Sequence, residues 1–156
     1  MRITLVSSCG LVLEAEGRTL LIDALNKQFR CYYGLPPETF AQMRAGEPPY
    51  DALCGILCTH AHPDHYNALR TRQLQAASGA PVFVPQPQTP PQLALQLGPF
   101  QVEYHQFAHT PAPGWDTITH GVYFIAAAGV SVYVTADARI DPAQHRAILR
   151  GRRADA

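Results

Sequence analysis

The stretch from Leu53 to Asn67, LCGILCTHAHPDHYN, constrains this chain more than any other. An apolar run, Leu53 to Cys58, reads as a buried strand and ends in Thr59. His60, His62, Asp64 and His65 then arrive in quick succession. Three imidazoles and a carboxylate at the end of a buried strand are costly unless something binds them. A divalent metal is the economical explanation, because imidazole suits zinc and other first-row ions and the carboxylate adds charge. The competing explanation is a polar loop of individually satisfied histidines. On a strand, His60 and His62 point the same way and can share one ion. Pro63 helps the chain turn, so Asp64 and His65 project from the start of a helix and can hold a second. The Asp64 carboxylate also offsets the positive end of that helix. Two ions about 3.5–4 Å apart can share a bridging water as nucleophile.

Around this centre the sequence predicts strands first. Arg2–Ser7 alternates and is rich in β formers, and Ser8-Cys9-Gly10 breaks it. Leu11–Ala15 and Arg18–Asp23 flank the turn Glu16-Gly17, giving an opening meander that ends at Asp23. Asp23 is either a turn former or a support for the site from behind its ligands. Residues 24–50 are irregular, with a short helix over Pro37–Arg44. Their aromatics, Phe29, Tyr32, Tyr33 and Phe40, either shape a substrate pocket or cover the core.

The central strand is expected over Asp51–Thr59 and a helix over Tyr66–Ser78, with Leu69, Leu74 and Ala77 on one face and Gly79 as its stop. Pro81–Val84 reads as a short strand, and PQPQTPPQ, residues 85–92, as a surface crossover. Gln92–Leu97 reads as one helical turn. Phe100–Phe107 is a strand arriving at His109-Thr110-Pro111, followed by a loop over 112–119 that carries the only tryptophan, Trp115. Gly121–Ala126 and Val130–Thr135 form a hairpin, and Pro142–Leu149 a final helix with Asp141 as its N-cap. The layout is mixed α/β with meander sheets rather than a regular βαβ parallel sheet, in a single domain spanning 1–156.

Charge narrows the function classes. Lys and Arg number 12, and so do Asp and Glu, so long-range charge predicts neither nucleic-acid nor membrane binding. Arg146, Arg150, Arg152 and Arg153 form a local basic cluster, read as a frayed, solvated tail rather than a binding patch. No apolar run approaches the ~20 residues of a membrane span. Cys9, Cys31, Cys54 and Cys58 form no CxxC pair, and MRITLVSS reads as a strand rather than a leader. The expectation is a cytoplasmic protein with reduced thiols.

THAHPDHYN resembles the His-x-His-x-Asp-His signature of the metallo-β-lactamase superfamily at every signature position. SSCGLVLEAEGRTLLIDA is similar to that family's opening meander ending in Asp, and VSVYVTADAR to its strand ending in Gly-Asp-Thr. FAHTPAPG carries a further His at a strand end. The pattern around His109 and the lack of large insertions look most like the branch of sugar-phosphate lactonases and N-acyl-phosphatidylethanolamine phospholipases. The resemblance implies a four-layer αββα sandwich with its site at the edge between two sheets. It implies that His60, His62 and His109 hold one metal, Asp64 and His65 a second, and that Asp137 bridges them. Asp64 would also orient the attacking water or relay its proton. The cofactor implied is Zn2+, one or two ions, with Mn2+, Fe2+ or Ni2+ as alternatives.

The bland readings stand beside these. For the third histidine ligand, His105 and His120 compete with His109. His105 shares its strand face, and His120 opens a strand toward the same loop, where it would also meet substrate. Asp137 could be a turn former, and Asp141 is its alternative as ligand, although the N-cap role already explains Asp141. Trp115 and Tyr66 either wall the pocket or serve as core and rim aromatics.

The chain departs from the pattern twice. Thr135-Ala136-Asp137-Ala138 stands where the family has Gly-Asp-Thr, and an alanine fits there if its φ is negative. The family's last ligand His, on a late strand, has no counterpart: beyond Asp137 only His145 remains, inside the final helix. The second half of the sandwich is therefore expected to be incomplete towards the C-terminus. The leading expectation is a metal-dependent hydrolase acting on an ester, lactone or phosphodiester bond of a small-molecule substrate. The alternatives are a metal-binding, catalytically weak member with a sensing or scaffolding role, or a subunit whose site a partner completes. Exposed strand edges would favour a homo-oligomer.

Overall fold

The computed structural model describes residues 1–111 and 117–156, so the expected loop over 112–119 and Trp115 fall largely or wholly outside the described residues. Two sheets face each other. The first has five strands in the order β1 (Arg2–Leu5), β2 (Leu11–Ala15), β3 (Arg18–Ile22), β4 (Leu53–Leu57) and β5 (Val82–Phe83). The second runs β6 (Gln92–Leu97), β7 (Phe100–Phe107), β8 (His120–Ala127) and β9 (Val130–Val134). Helices α1 (Pro37–Ala45) and α2 (Ala68–Ser78) pack on the outer face of the first sheet, against Leu21, Leu25 and Ile56. Helix α3 (Pro142–Leu149) places Ile148 against Phe107 and Val122 of the second sheet. This is the expected αββα layering.

Alternation explains the layers. Leu13, Leu20 and Ile22 point inward to Phe100, Val102, Tyr104, Tyr123 and Ile125, whereas Val12 and Leu21 point outward to the helices. β4 is buried along its whole length, as a central strand covered on both faces should be. It is also where the layout departs from a pure meander. β3, β4 and β5 pair in parallel, with α1 and α2 lying in the two crossovers. Those pairings are non-local, and the sequence between them carries no hairpin signal.

Gln92–Leu97 is a strand, not a helical turn. β6 pairs antiparallel with β7 from Gln92↔His105 to Leu97↔Phe100. Leu93, Leu95 and Leu97 alternate with more exposed residues and pack onto the core, so the period of two outweighs the helical propensity of Gln, Leu and Ala. In α2 the buried positions are Arg70, Thr71 and Leu74, while Leu69 is half exposed. The Arg70 guanidinium donates to the Asn26 and Leu35 carbonyls at 2.7 and 3.0 Å and lies over Phe40, so the helix uses a buried cation to hold the long loop. Within that loop Phe40 belongs to the core and Tyr32 and Tyr33 are exposed.

The basic cluster is not a frayed tail throughout. Arg152 makes a bidentate pair with Glu103, at 2.7 and 2.9 Å, and stacks over Phe124 at 4.0 Å. Beyond it, Asp155 accepts from Ser131 N at 2.8 Å, and Tyr133 N donates to the Ala156 carbonyl, so this segment lies along β9. The hydrogen bonds from Arg152 hold the Glu103 carboxyl below its ordinary value of 4.5. A carboxyl lowered on folding stabilises the protein above its unfolded pKa, and that stabilisation is lost as pH falls through the folded value. In acid-induced unfolding monitored from neutral pH to below 4.5, Glu103→Gln is expected to remove a small part of the pH dependence. With Glu103 41% exposed, that part is below about 1 kcal/mol.

Candidate metal centre

The second sheet reaches the His motif through two hydrogen bonds. Tyr123 Oη donates to the Cys58 carbonyl at 2.5 Å, and Gly121 N to the Thr59 carbonyl at 2.9 Å. A Cβ on residue 121 would lie 2.0 Å from Tyr104 Cε2, so only glycine lets β8 pass this close. The motif is thereby held at the edge between the sheets. A second clamp brings in Asp137. Thr110 N donates to the Asp137 carbonyl at 2.8 Å, Arg139 N to the Ala108 carbonyl at 2.7 Å, and residues 109 and 138 form an isolated bridge. Ala136, just before Asp137, has φ +44°, so the negative value that would make an alanine easy there is not met. The left-handed region costs a non-glycine residue roughly 1–2 kcal/mol, and the clamp imposes it here.

Ligand atoms of His60, His62, His109 and Asp137 all lie within 4.8 Å of one another. Asp137 Oδ2 stands 3.7 Å from His60 Nε2, 3.5 Å from His109 Nε2 and 3.6 Å from His65 Nε2. Thr59 Oγ1 donates to Asp23 Oδ2 at 2.6 Å and so accepts from His60 Nδ1 at 3.0 Å. That assigns the His60 proton to Nδ1 and turns the Nε2 lone pair inward, 2.9 Å from His62 Nδ1. Lone pairs this close repel unless a proton or a cation lies against both. His109 Nδ1 contacts the Thr110 carbonyl, which leaves its Nε2 facing inward, buried and without a hydrogen-bond partner among the described residues. Burial first, and then the neighbouring imidazoles, push His60 and His62 down, towards the neutral form that metals require.

Asp64 and His65 fall in a second group, where they meet Cys9 within the same limit. Asp23 is the support behind His65: its Oδ2 accepts from His65 Nδ1 at 2.9 Å, while Oδ1 accepts from Thr59 N at 2.8 Å. Burial opposes charge on His65, but the Asp137 and Asp23 carboxylates outweigh it and push the imidazole up to about 12. The field at His65 therefore favours positive charge, which is what a cation there requires. His65 Nε2 is buried with no hydrogen-bond partner among the described residues. Three nitrogens and a shared carboxylate in one set, and N, O and S donors in the other, suit a divalent first-row ion.

The remaining candidates sort themselves. His120 lies beside the cluster, its ring 4.9 Å from that of His60, and burial lowers it to about 4. It is outside both donor groups. His105 pairs with Glu103 at 3.5 Å on another part of β7. Asp141 caps α3, accepting from Ala143 N and Gln144 N at 3.1 and 3.0 Å. His145 Nδ1 meets Tyr133 Oη at 2.8 Å and its ring stacks on Phe107, so it does not stand in for a ligand. Tyr66 lies behind His65, beside Asp23 and Leu57, and is half-buried. Cys9 is the member that sequence reasoning missed. An open cleft of about 450 Å³ borders the centre, lined by His109, His120, Pro111, Ile118 and Arg139.

A family model described as a β-lactamase superfamily domain matches residues 18–151. The chain belongs to the metallo-β-lactamase superfamily. The folds of this superfamily recur among solved structures. A diiron β-hydroxylase from Streptomyces venezuelae, CmlA, is similar at TM-score 0.66 and 18% identity, over 96% of this chain and 32% of that one. A protein described as a possible metal-dependent hydrolase from Veillonella parvula is similar at TM-score 0.58 and 14% identity, over 96% of this chain and 69% of that one. The metallo-β-lactamase fold protein YhfI from Bacillus subtilis follows at TM-score 0.55 and 16% identity, over 88% and 57%. The chain thus spans about a third of the hydroxylase and a little over half of YhfI. No curated protein matches the sequence. At these identities the likeness concerns the fold, and the donor set rests on this chain's own geometry.

Proposed function

We propose that this metallo-β-lactamase superfamily member is a metal-dependent hydrolase of a small-molecule ester, lactone or phosphodiester. The observation that carries the reading is the convergence of His60, His62, His109 and Asp137, from three separate segments, on one point beside an open cleft. A bound divalent ion supplies Lewis acidity and brings the pKa of water toward ~7. The chain's own residues do the rest. Asp137 faces both donor groups. Asp64, in the second group, accepts a proton from the attacking water or orients it. Arg139 is the one cation on the cleft wall among the described residues, enough for one developing negative charge and too little to commit the site to a polyphosphate. Lactone and phosphodiester are the first bonds to try because of the branch the sequence resembles. Zinc suits the imidazole-rich set, and the diiron neighbour makes iron the alternative.

The test is metal content per chain together with hydrolysis of a generic phosphodiester and a lactone. His62→Ala is expected to lose the ion of the first group and to reduce turnover to the uncatalysed rate. Metal bound without turnover of either substrate favours the sensing or scaffolding reading instead. Absence of bound metal after loading with zinc and with iron overturns both.

A further inference from the structure

Cys9 sits in the break between β1 and β2, far in sequence from the His motif. The break is rigidly held. Val6 N donates to the Gly10 carbonyl at 2.9 Å, Gly10 N to Ser7 Oγ at 2.9 Å, and Ser8 exchanges two hydrogen bonds with Tyr33. A Cβ on residue 10 would lie 2.8 Å from Ala24 Cα, so glycine there lets the break press against the end of β3. That end carries Asp23, which orients His65. Cys9 is carried by this packing to where its Sγ, an Asp64 oxygen and a His65 nitrogen lie within 4.8 Å of one another. His65 Nδ1 is taken by Asp23, so Nε2 is the atom on offer. It is buried, lacks a hydrogen-bond partner among the described residues, and has Asp64 Oδ2 at 3.9 Å and Asp137 Oδ2 at 3.6 Å.

We propose that Cys9 is a protein ligand of the second metal position, joining Asp64, His65 and Asp137. The inference rests on the metal-binding reading of the centre. A thiolate, a nitrogen and two carboxylates would supply four donors, the number a zinc site commonly takes. The thiol proton leaves to solvent as the ion binds. The soft sulfur biases the position toward zinc or cobalt and away from magnesium or calcium.

Cobalt(II) titration of the full chain tests this through absorbance and ion count, without reference to turnover. The wild type is expected to bind about two ions per chain and to develop a thiolate-to-cobalt charge-transfer band as the second is taken up. Cys9→Ser is expected to lose the band and the second ion while keeping the first, and Cys31→Ser, altering an exposed thiol, to keep both. Circular dichroism of Cys9→Ser identical to wild type shows that the loss is one of coordination. Two ions without the band, or a band that survives in Cys9→Ser, overturns the proposal and leaves the metal-binding reading standing. No bound cobalt in the wild type overturns both.

Discussion

Asp137→Ala is expected to strip metal from both donor groups at once while leaving the fold intact. A single carboxylate oxygen, Oδ2, lies 3.5–3.7 Å from nitrogens of His60, His65 and His109, so it is the only described atom in ion-pair range of both sets. Loss of an outer partner behind a ligand typically costs 10–100-fold in metal affinity, and loss of a shared ligand is expected to cost at least ~100-fold at each position. The side chain is 42% exposed, and its removal leaves the backbone clamp to Thr110 in place. The melting temperature of the metal-free protein should therefore shift little. Asp137→Asn keeps an oxygen but not the charge and is expected to fall between the two. Calorimetric titration with zinc reads the result. Asp137→Ala protein that still loads to the wild-type ion count would show that Asp137 is a turn residue and that each group holds its ion independently.

The candidate donors are legible in the sequence where their spacing is local. His60, His62, Asp64 and His65 announce themselves by spacing, and His109 and Asp137 stand at strand ends that alternation predicts. Cys9 was not legible. It carries no motif, and its approach to His65 depends on the β1–β2 break packing against the end of β3, which no spacing encodes. Gly10, next to it, was the one available signal of a close approach. The parallel pairing of β3, β4 and β5 was hidden for the same reason, since it depends on crossovers rather than turns. β6 differs: its leucines alternate plainly, and that period outweighs residue propensity. Ala136 shows tertiary structure overriding a local preference. The clamp between residues 108–110 and 137–139 holds a positive φ that alanine does not adopt by its own preference.

Asp23→Ala is expected to weaken both the fold and the centre, and by more than any other single change outside the ligands. The Asp23 carboxylate is 2% exposed and accepts three hydrogen bonds, from Thr59 N, Thr59 Oγ1 and His65 Nδ1, at 2.6–2.9 Å. Its removal orphans those donors and leaves the buried His65 ring facing one carboxylate fewer. Breaking a buried charge pair costs about 3–5 kcal/mol, equivalent to a fall in melting temperature of roughly 10 °C for a chain of this size. Asp23 also has φ +51°, a conformation that Asp and Asn tolerate better than Ala, which adds to the cost. Asp23→Asn separates the contributions, because it keeps the backbone preference and the shape but not the charge. It is expected to recover part of the stability and little of the second-position affinity, since an amide cannot hold His65 in one orientation as a carboxylate does. The chain reaction matters for the first group too: without Asp23, Thr59 Oγ1 is free to donate to His60 Nδ1, and the Nε2 lone pair is no longer fixed inward. A melting temperature within about 2 °C of wild type, together with unchanged zinc affinity, would show that Asp23 merely ends a strand.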